Sequence, residues 1–307
     1  MSNVEQDPQE LVCEAGEPVR ELVSGHQVAL GGPRAMTVTR TLPAVGRRMV
    51  GAWCFVDRYG PETAAMSVPP HPHTGLQTVT WLLSGEVLHR DSVGSLQQVR
   101  PGQLNLMTAG RGISHSEESP EMELHGVQLW VALPEQARHV APGFEHHADL
   151  PVARGPSYEA RVVMGSFGGV SSPATTYTPL VGAEVVVDGV AELPLEPGFE
   201  HAVLTLDGSP VVDGDALPVG PLLYLGQGRS SLPVSGRGRL LLIGGAPFEE
   251  QIVMWWNFVG RSHEEIEAFR KEWTEGALFG TVTGFDGDPL RAPALPTARL
   301  KPRGRVR

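Results

Sequence analysis

Four side chains that can bind a metal sit in two short pairs, each with one residue between its members: His71 and His73 in HPHTGLQTVTWLL, His115 and Glu117 in GRGISHSEE. On a β-strand, residues i and i+2 face the same way with Cα atoms about 6.6 Å apart, so each pair can aim both ligand atoms at one point. The surrounding residues favour strands. QTVTWLL carries two Thr, a Val and a Trp and is closed by Ser84-Gly85, the β-branched and aromatic content that a pleated surface packs well. Two such strands facing each other would bring three imidazoles and one carboxylate to a shared centre. That donor set suits Fe(II), Mn, Ni, Cu or Zn. It does not suit Ca or Mg, which take oxygen ligands, and it lacks the thiolates of most structural zinc sites. Four protein ligands on a six-coordinate ion would leave two positions for a bidentate substrate, or for one substrate oxygen and O₂.

The chain around these pairs predicts an all-β protein. It has 307 residues, with 37 Gly and 27 Pro, and short apolar runs recur about every ten residues between Gly turns. This is the pattern of antiparallel barrels or sandwiches. Such runs fill two regions, one from His71 to Leu133 and a second from Glu159 to Phe248. The second echoes the first without its ligands: Glu200 and His201 are adjacent and so point to opposite faces. The expected organisation is an acidic N-terminal arm over 1–25, mobile or a short surface helix, then a metal-binding barrel over 26–148 and a linker over 149–156. A metal-free barrel follows over 157–285, with a basic, Pro-rich, disordered tail over 286–307. One helix is predicted at 263–275, where Ser262 and Glu265 form a capping box and Ile266, Phe269 and Trp273 share a face. His146-His147 and Asp149 read as exposed linker.

Composition narrows the partners. A formal net charge of −11 argues against a nucleic-acid surface, which needs clustered Lys and Arg. The two cysteines, Cys13 and Cys54, have no metal-binding or CxxC spacing and read as free thiols in a reducing compartment. There is no signal-peptide pattern and no apolar run of about 18 residues, so no membrane partner and a cytoplasmic location are expected.

Segments HPHTGLQTVTWLLSGEVLHRDS and PGQLNLMTAGRGISHSE, with HGVQLW at 125–130 and GGAPFEEQIVMWWNFVGRSHEEIEAFRKEW near the C-terminus, resemble the pirin family of the cupin superfamily. The similarity begins near Gly31-Gly32-Pro33. It implies a bicupin: two antiparallel, jelly-roll-like β-barrels with a short C-terminal helix, and iron in the first barrel on His71, His73, His115 and Glu117. It further implies flavonol (quercetin) 2,3-dioxygenase activity in some members and a regulatory, protein-binding role in others. For the first role Glu117 would be ligand and base, with a small aromatic or enol substrate and O₂ as partners. For the second, a metal- or redox-dependent surface would bind an enzyme or a regulator. Phe55, Gln77, Met107, Gln128 and Trp130 are the expected walls of the substrate pocket. Typical cupins place a glutamate ligand where this chain has Gln77; the pirin-type arrangement replaces it by Glu117 and leaves Gln77 to hydrogen-bond a ligand from behind.

Overall fold

The computed structural model describes residues 19–29 and 37–306. Gly31-Gly32-Pro33, Cys13 and most of the acidic arm lie outside the described residues. In chain order the strands of the first half are β1 (Glu21–Val23), β2 (His26–Ala29), β3 (Thr37–Leu42), β4 (Trp53–His73), β5 (Leu76–Ser84), β6 (Val87–Asp91), β7 (Leu96–Val99), β8 (Leu104–Thr108), β9 (Ile113–Ala132) and β10 (Gly143–His147). Then come β11 (Val152–Gly155), β12 (Tyr158–Phe167), β13 (Val170–Ser171), β14 (Leu180–Pro194), β15 (Glu200–Gly208), β16 (Val211–Val212), β17 (Asp215–Ala216), β18 (Leu222–Gly226), β19 (Ser231–Gly245), β20 (Val253–Trp255), β21 (Phe258–Gly260) and the helix α1 (His263–Glu275).

Two large antiparallel sheets result, in the order β10-β8-β5-β9-β4-β3-β2 and β1-β18-β15-β19-β14-β12-β11. The protein is thus an all-β, two-barrel fold. Strands β4 and β9 pair along nearly their whole lengths and set the site. Pro69 and Pro70 lack the N–H that a ladder needs, and the register shifts between Val68 and His71, where three steps on β4 oppose two on β9. This extra residue brings His71 opposite His115, with Val68 opposite Glu117. On the other side of β9, β6 sets Asp91 beside His115 and His89 beside Glu117.

The core does not respect the barrel boundary. Trp53, Trp81, Leu104 and Leu129 of the first half are in one buried cluster with Ala202, Leu204, Leu222 and Ile243 of the second, while a separate cluster around Val185, Val203 and Leu242 fills the second barrel. Polar contacts cross as well. Trp53 Nε1 donates to the carbonyls of Val181 (3.2 Å) and Gly244 (3.0 Å), and Trp81 Nε1 donates to Glu184 (2.9 Å).

Several segments differ from the sequence expectation. The described end of the arm is no helix: β1 adds a strand to the second sheet, opposite Leu222–Tyr224. Nor is the region around His146 exposed linker. β10 pairs with β8, and His146 is half-buried with Nδ1 2.7 Å from Asn105 Oδ1. β11 falls within 149–156 and pairs with β12. The tail expected to be disordered packs along the surface. Leu290 N donates to Pro70 O (2.8 Å), Ile252 and Arg303 exchange two backbone hydrogen bonds, and Arg305 pairs with the buried Glu200. Pro-rich composition suggested disorder, but the tail anchors several backbone groups on the folded body, and Leu295 and Leu300 pack onto the small core of α1 and β21.

Helix α1 follows its local signals. Ser262 Oγ accepts from Glu265 N (3.2 Å), and Ile266 is fully buried. The return arm of the capping box lands one residue early, with Arg261 N donating to Glu265 Oε2 at 2.7 Å.

Candidate metal centre

Successive positions on β4 alternate faces, so His71 and His73 point together into the first barrel, and His115 meets them from β9. The three rings lie 4.4–5.0 Å apart, centroid to centroid. Their ligand nitrogens all lie within 4.8 Å of one another, and all three residues are buried. The ring nitrogens that face away are held in part by the protein. His71 Nδ1 lies 2.9 Å from the Pro69 carbonyl oxygen, and His115 Nδ1 lies 3.3 Å from His89 Nδ1. Among the described residues His73 Nδ1 has no partner within hydrogen-bond geometry, although the Asn257 backbone lies against that ring.

Burial decides the protonation of this cluster. It lowers the His71 pKa to about 4, and with the neighbouring imidazoles it holds His73 and His115 well below their ordinary value. All three are therefore neutral at pH 7 and present lone pairs. His73 Nε2 and His115 Nε2 are 3.1 Å apart. Metal–imidazole bonds of about 2.0–2.1 Å at right angles would place the two nitrogens roughly 3 Å apart. The donors, their spacing and their neutrality fit a divalent transition metal.

Glu117 lines the same cavity but falls in a second group, with His89 and His115. The four expected ligands therefore do not form one group: His71, His73 and His115 make one triad, and Glu117 falls in a second with His89 and His115. Burial raises the Glu117 pKa, partly offset by His89 and by a hydrogen bond from Thr80 Oγ1 at 3.2 Å. The same hydroxyl is 3.0 Å from Gln128 Oε1.

The cavity holds about 410 Å³, within the range of small-molecule sites. Of the five residues expected as walls, Phe55, Gln128 and Trp130 line it, with Phe55 stacked on Trp130 at 4.1 Å and 12°. Gln77 and Met107 do not. Gly75 turns the chain at φ +68° between β4 and β5, so face parity counted from His73 does not reach Gln77, and Gln77 instead donates to Thr108 Oγ1 and Thr175 O. Met107 is buried in the core shared by the barrels.

Sequence reasoning missed the rest of the wall: Val28, Met66 and Val68, and also Arg40, Tyr59, Trp256, Asn257 and Leu290. The last three come from far along the chain, and no local pattern marks them. It also missed His89 and Asp91, although VLHRD carries the same i, i+2 spacing as the ligand pairs. Arg40 spans Asp57, with two hydrogen bonds of 2.7 Å, and lies over the Phe55 ring at 4.2 Å.

In the second half, Glu200 accepts from Gly51 N (2.9 Å) and Tyr224 Oη (2.8 Å), and His201 faces a cavity beside Phe167 and Phe199. Among the described residues no helix is long and apolar enough to cross a membrane.

Comparison with known proteins agrees with this architecture. Residues 35–131 match the Pirin family model, and 182–279 match the Pirin C-terminal cupin domain. A Pseudomonas aeruginosa protein named "Putative quercetin 2,3-dioxygenase PA1205" is 44% identical over 294 residues, covering 92% of this chain and 93% of that one. A pirin-like protein of Caulobacter vibrioides is 36% identical, over 78% of this chain and 89% of its own. The crystal structure of a quercetin 2,3-dioxygenase from Acinetobacter baumannii superposes with a TM-score of 0.87 at 39% identity, covering 91% of this chain and 96% of that one. With both of its cupin domains matched and close relatives along nearly its full length, this chain belongs to the pirin family.

Proposed function

We propose that this protein is a metal-dependent dioxygenase that opens a flavonol, or a related aromatic enol, with O₂ at the His71/His73/His115/Glu117 centre. The observation that carries this is the placement of three buried, neutral imidazoles at the floor of an open cavity walled by a stacked Phe55–Trp130 pair. The names of the relatives with 39% and 44% identity support the substrate class. Iron is the proposed metal, on the family resemblance; Mn, Ni, Cu and Zn suit the same donors. A metal-dependent regulatory protein would need a contact surface more than this space, so the open cavity favours catalysis.

His71, His73 and His115 would hold the ion, and Glu117 would complete its protein ligands. The bound metal would supply Lewis acidity toward the substrate's adjacent oxygens and a site for O₂. The chain's own groups do the rest. The Phe55–Trp130 face packs a flat ring system, and Gln128 offers its amide to a substrate oxygen. The ligand side chains are themselves buried, which limits water around them. Glu117, its carboxylate made more basic by burial, takes the enol proton, and Thr80 Oγ1 lies 3.2 Å from one of its oxygens. The test is a metal series: protein loaded anaerobically with each of Fe(II), Mn(II), Ni(II), Cu(II) and Zn(II), then given quercetin and air. Turnover that depends on metal, and is greatest with iron, is expected. Equal rates in loaded and metal-free protein would refute the proposal.

A further inference from the structure

Behind His115, on the side away from the cavity, stands a buried chain of three groups. Asp91 Oδ2 lies 3.0 Å from His89 Nε2, and His89 Nδ1 lies 3.3 Å from His115 Nδ1. The opposite nitrogen of His115, Nε2, is the one beside His73 at the metal position. His89, Asp91 and His115 are 3%, 2% and 1% exposed, so water does not compete for these contacts. Asp91 is fixed in its turn: Oδ1 accepts from Val93 N (3.0 Å) and Ser95 N (2.9 Å), which leaves Oδ2 for His89. Phe144 stacks on the His89 ring at 4.4 Å and 18°, holding its plane.

We propose that Asp91 and His89 are positioning residues that fix the tautomer of His115, so that His115 carries its proton on Nδ1 and offers a bare Nε2 to the metal. A carboxylate only accepts, so the bond between Asp91 and His89 is donated by His89 Nε2–H. His115 can offer Nε2 at the metal position beside His73 only with its proton on Nδ1, so the 3.3 Å contact is donated by His115 Nδ1–H and accepted by His89 Nδ1, which leaves the His89 proton on Nε2 for Asp91. The Asp91 carboxylate at one end and the metal-facing nitrogen at the other thus require the same sense of both hydrogen bonds, while Glu117 lies in the same group as His89 and His115. His71 obtains the same result from a backbone carbonyl, which no side-chain substitution alters. His115 is the ligand whose readiness depends on two replaceable side chains.

This inference rests on the metal centre proposed above, and its test separates the two. In metal-free protein labelled with ¹⁵N-histidine, long-range ¹H–¹⁵N correlations report each tautomer directly. His115 is expected as Nδ1–H in the parent. Asp91→Asn supplies an amide donor that can reverse the chain, moving the His115 proton to Nε2 and weakening Ni(II) binding by roughly 10–100-fold, the usual range for such outer contacts. Asp91→Glu, still an acceptor, should restore the Nδ1–H form and most of the affinity. An Nε2–H tautomer in the parent, or unchanged Ni(II) affinity in Asp91→Asn, would overturn the inference. Failure of the parent to bind Ni(II) would instead count against the metal centre, and the tautomer measurement would still decide the role of Asp91.

Discussion

A histidine serves as a ligand at neutral pH only while its lone pair is free, and here burial secures that before any ion arrives. The cost falls on the two strands that carry the ligands, β4 and β9; other histidines are buried without being ligands. His71→Ala or His115→Ala should abolish metal binding, whereas His146→Ala and His201→Ala should leave one equivalent bound, as metal analysis of purified protein would show. His201 permits a separate test of burial. It is 1% exposed, and desolvation lowers its pKa from 6.5 to about 4. The unfolded chain takes up this proton near pH 6.5 and the folded protein only near pH 4, so its contribution to stability is full above 6.5 and is lost as pH falls through 4. The amount is on the order of 3 kcal/mol at most. Urea melts of metal-free protein between pH 7 and pH 4 should show a shallower loss for His201→Leu than for the parent. Identical slopes would mean that His201 is not held neutral.

The strands made the ligand pairs legible, because a period of two is the simplest pattern a chain can carry and both pairs lie inside continuous strands. It failed at the joints. Gly75 breaks the count between His73 and Gln77, and Pro69-Pro70 insert a bulge whose effect on register only the pairing with β9 reveals. His89 and Asp91 had the right spacing, but nothing local says that β6 flanks β9 at the level of His115. The tail was read from composition, which registers a lack of core residues and not the open backbone groups of the body it lies on. Its anchor can be tested. Arg305 pairs with Glu200, whose side chain is 1% exposed, while that of Arg305 is 26% exposed. Arg305→Ala leaves the carboxylate with Gly51 N and Tyr224 Oη alone, which should cost about 1–3 kcal/mol in chemical denaturation. Because Leu290 of the same segment lines the metal cavity, removing residues 286–307 should raise the KM for substrate while metal content stays at one equivalent. An unchanged KM would separate the tail from the site.

At the scale of the whole molecule, the two barrels share a core and exchange hydrogen bonds through Trp53, Trp81 and Glu200, and β1 from the N-terminal end completes the second sheet. Scanning calorimetry of metal-free protein should therefore show one cooperative transition, and two separated transitions would contradict a common core. The first barrel then supplies the metal donors, and distant segments supply part of the cavity wall through Trp256, Asn257 and Leu290. All of this converges on O₂ consumption by the ferrous protein under saturating flavonol, with bound iron measured on the same samples, for the parent and for Glu117→Gln. The proposed mechanism predicts O₂ uptake matched to flavonol lost in the parent. In the variant it predicts retained iron with turnover per iron about 10²- to 10⁴-fold lower. A fully iron-loaded parent that consumes no O₂ with any flavonol would contradict it.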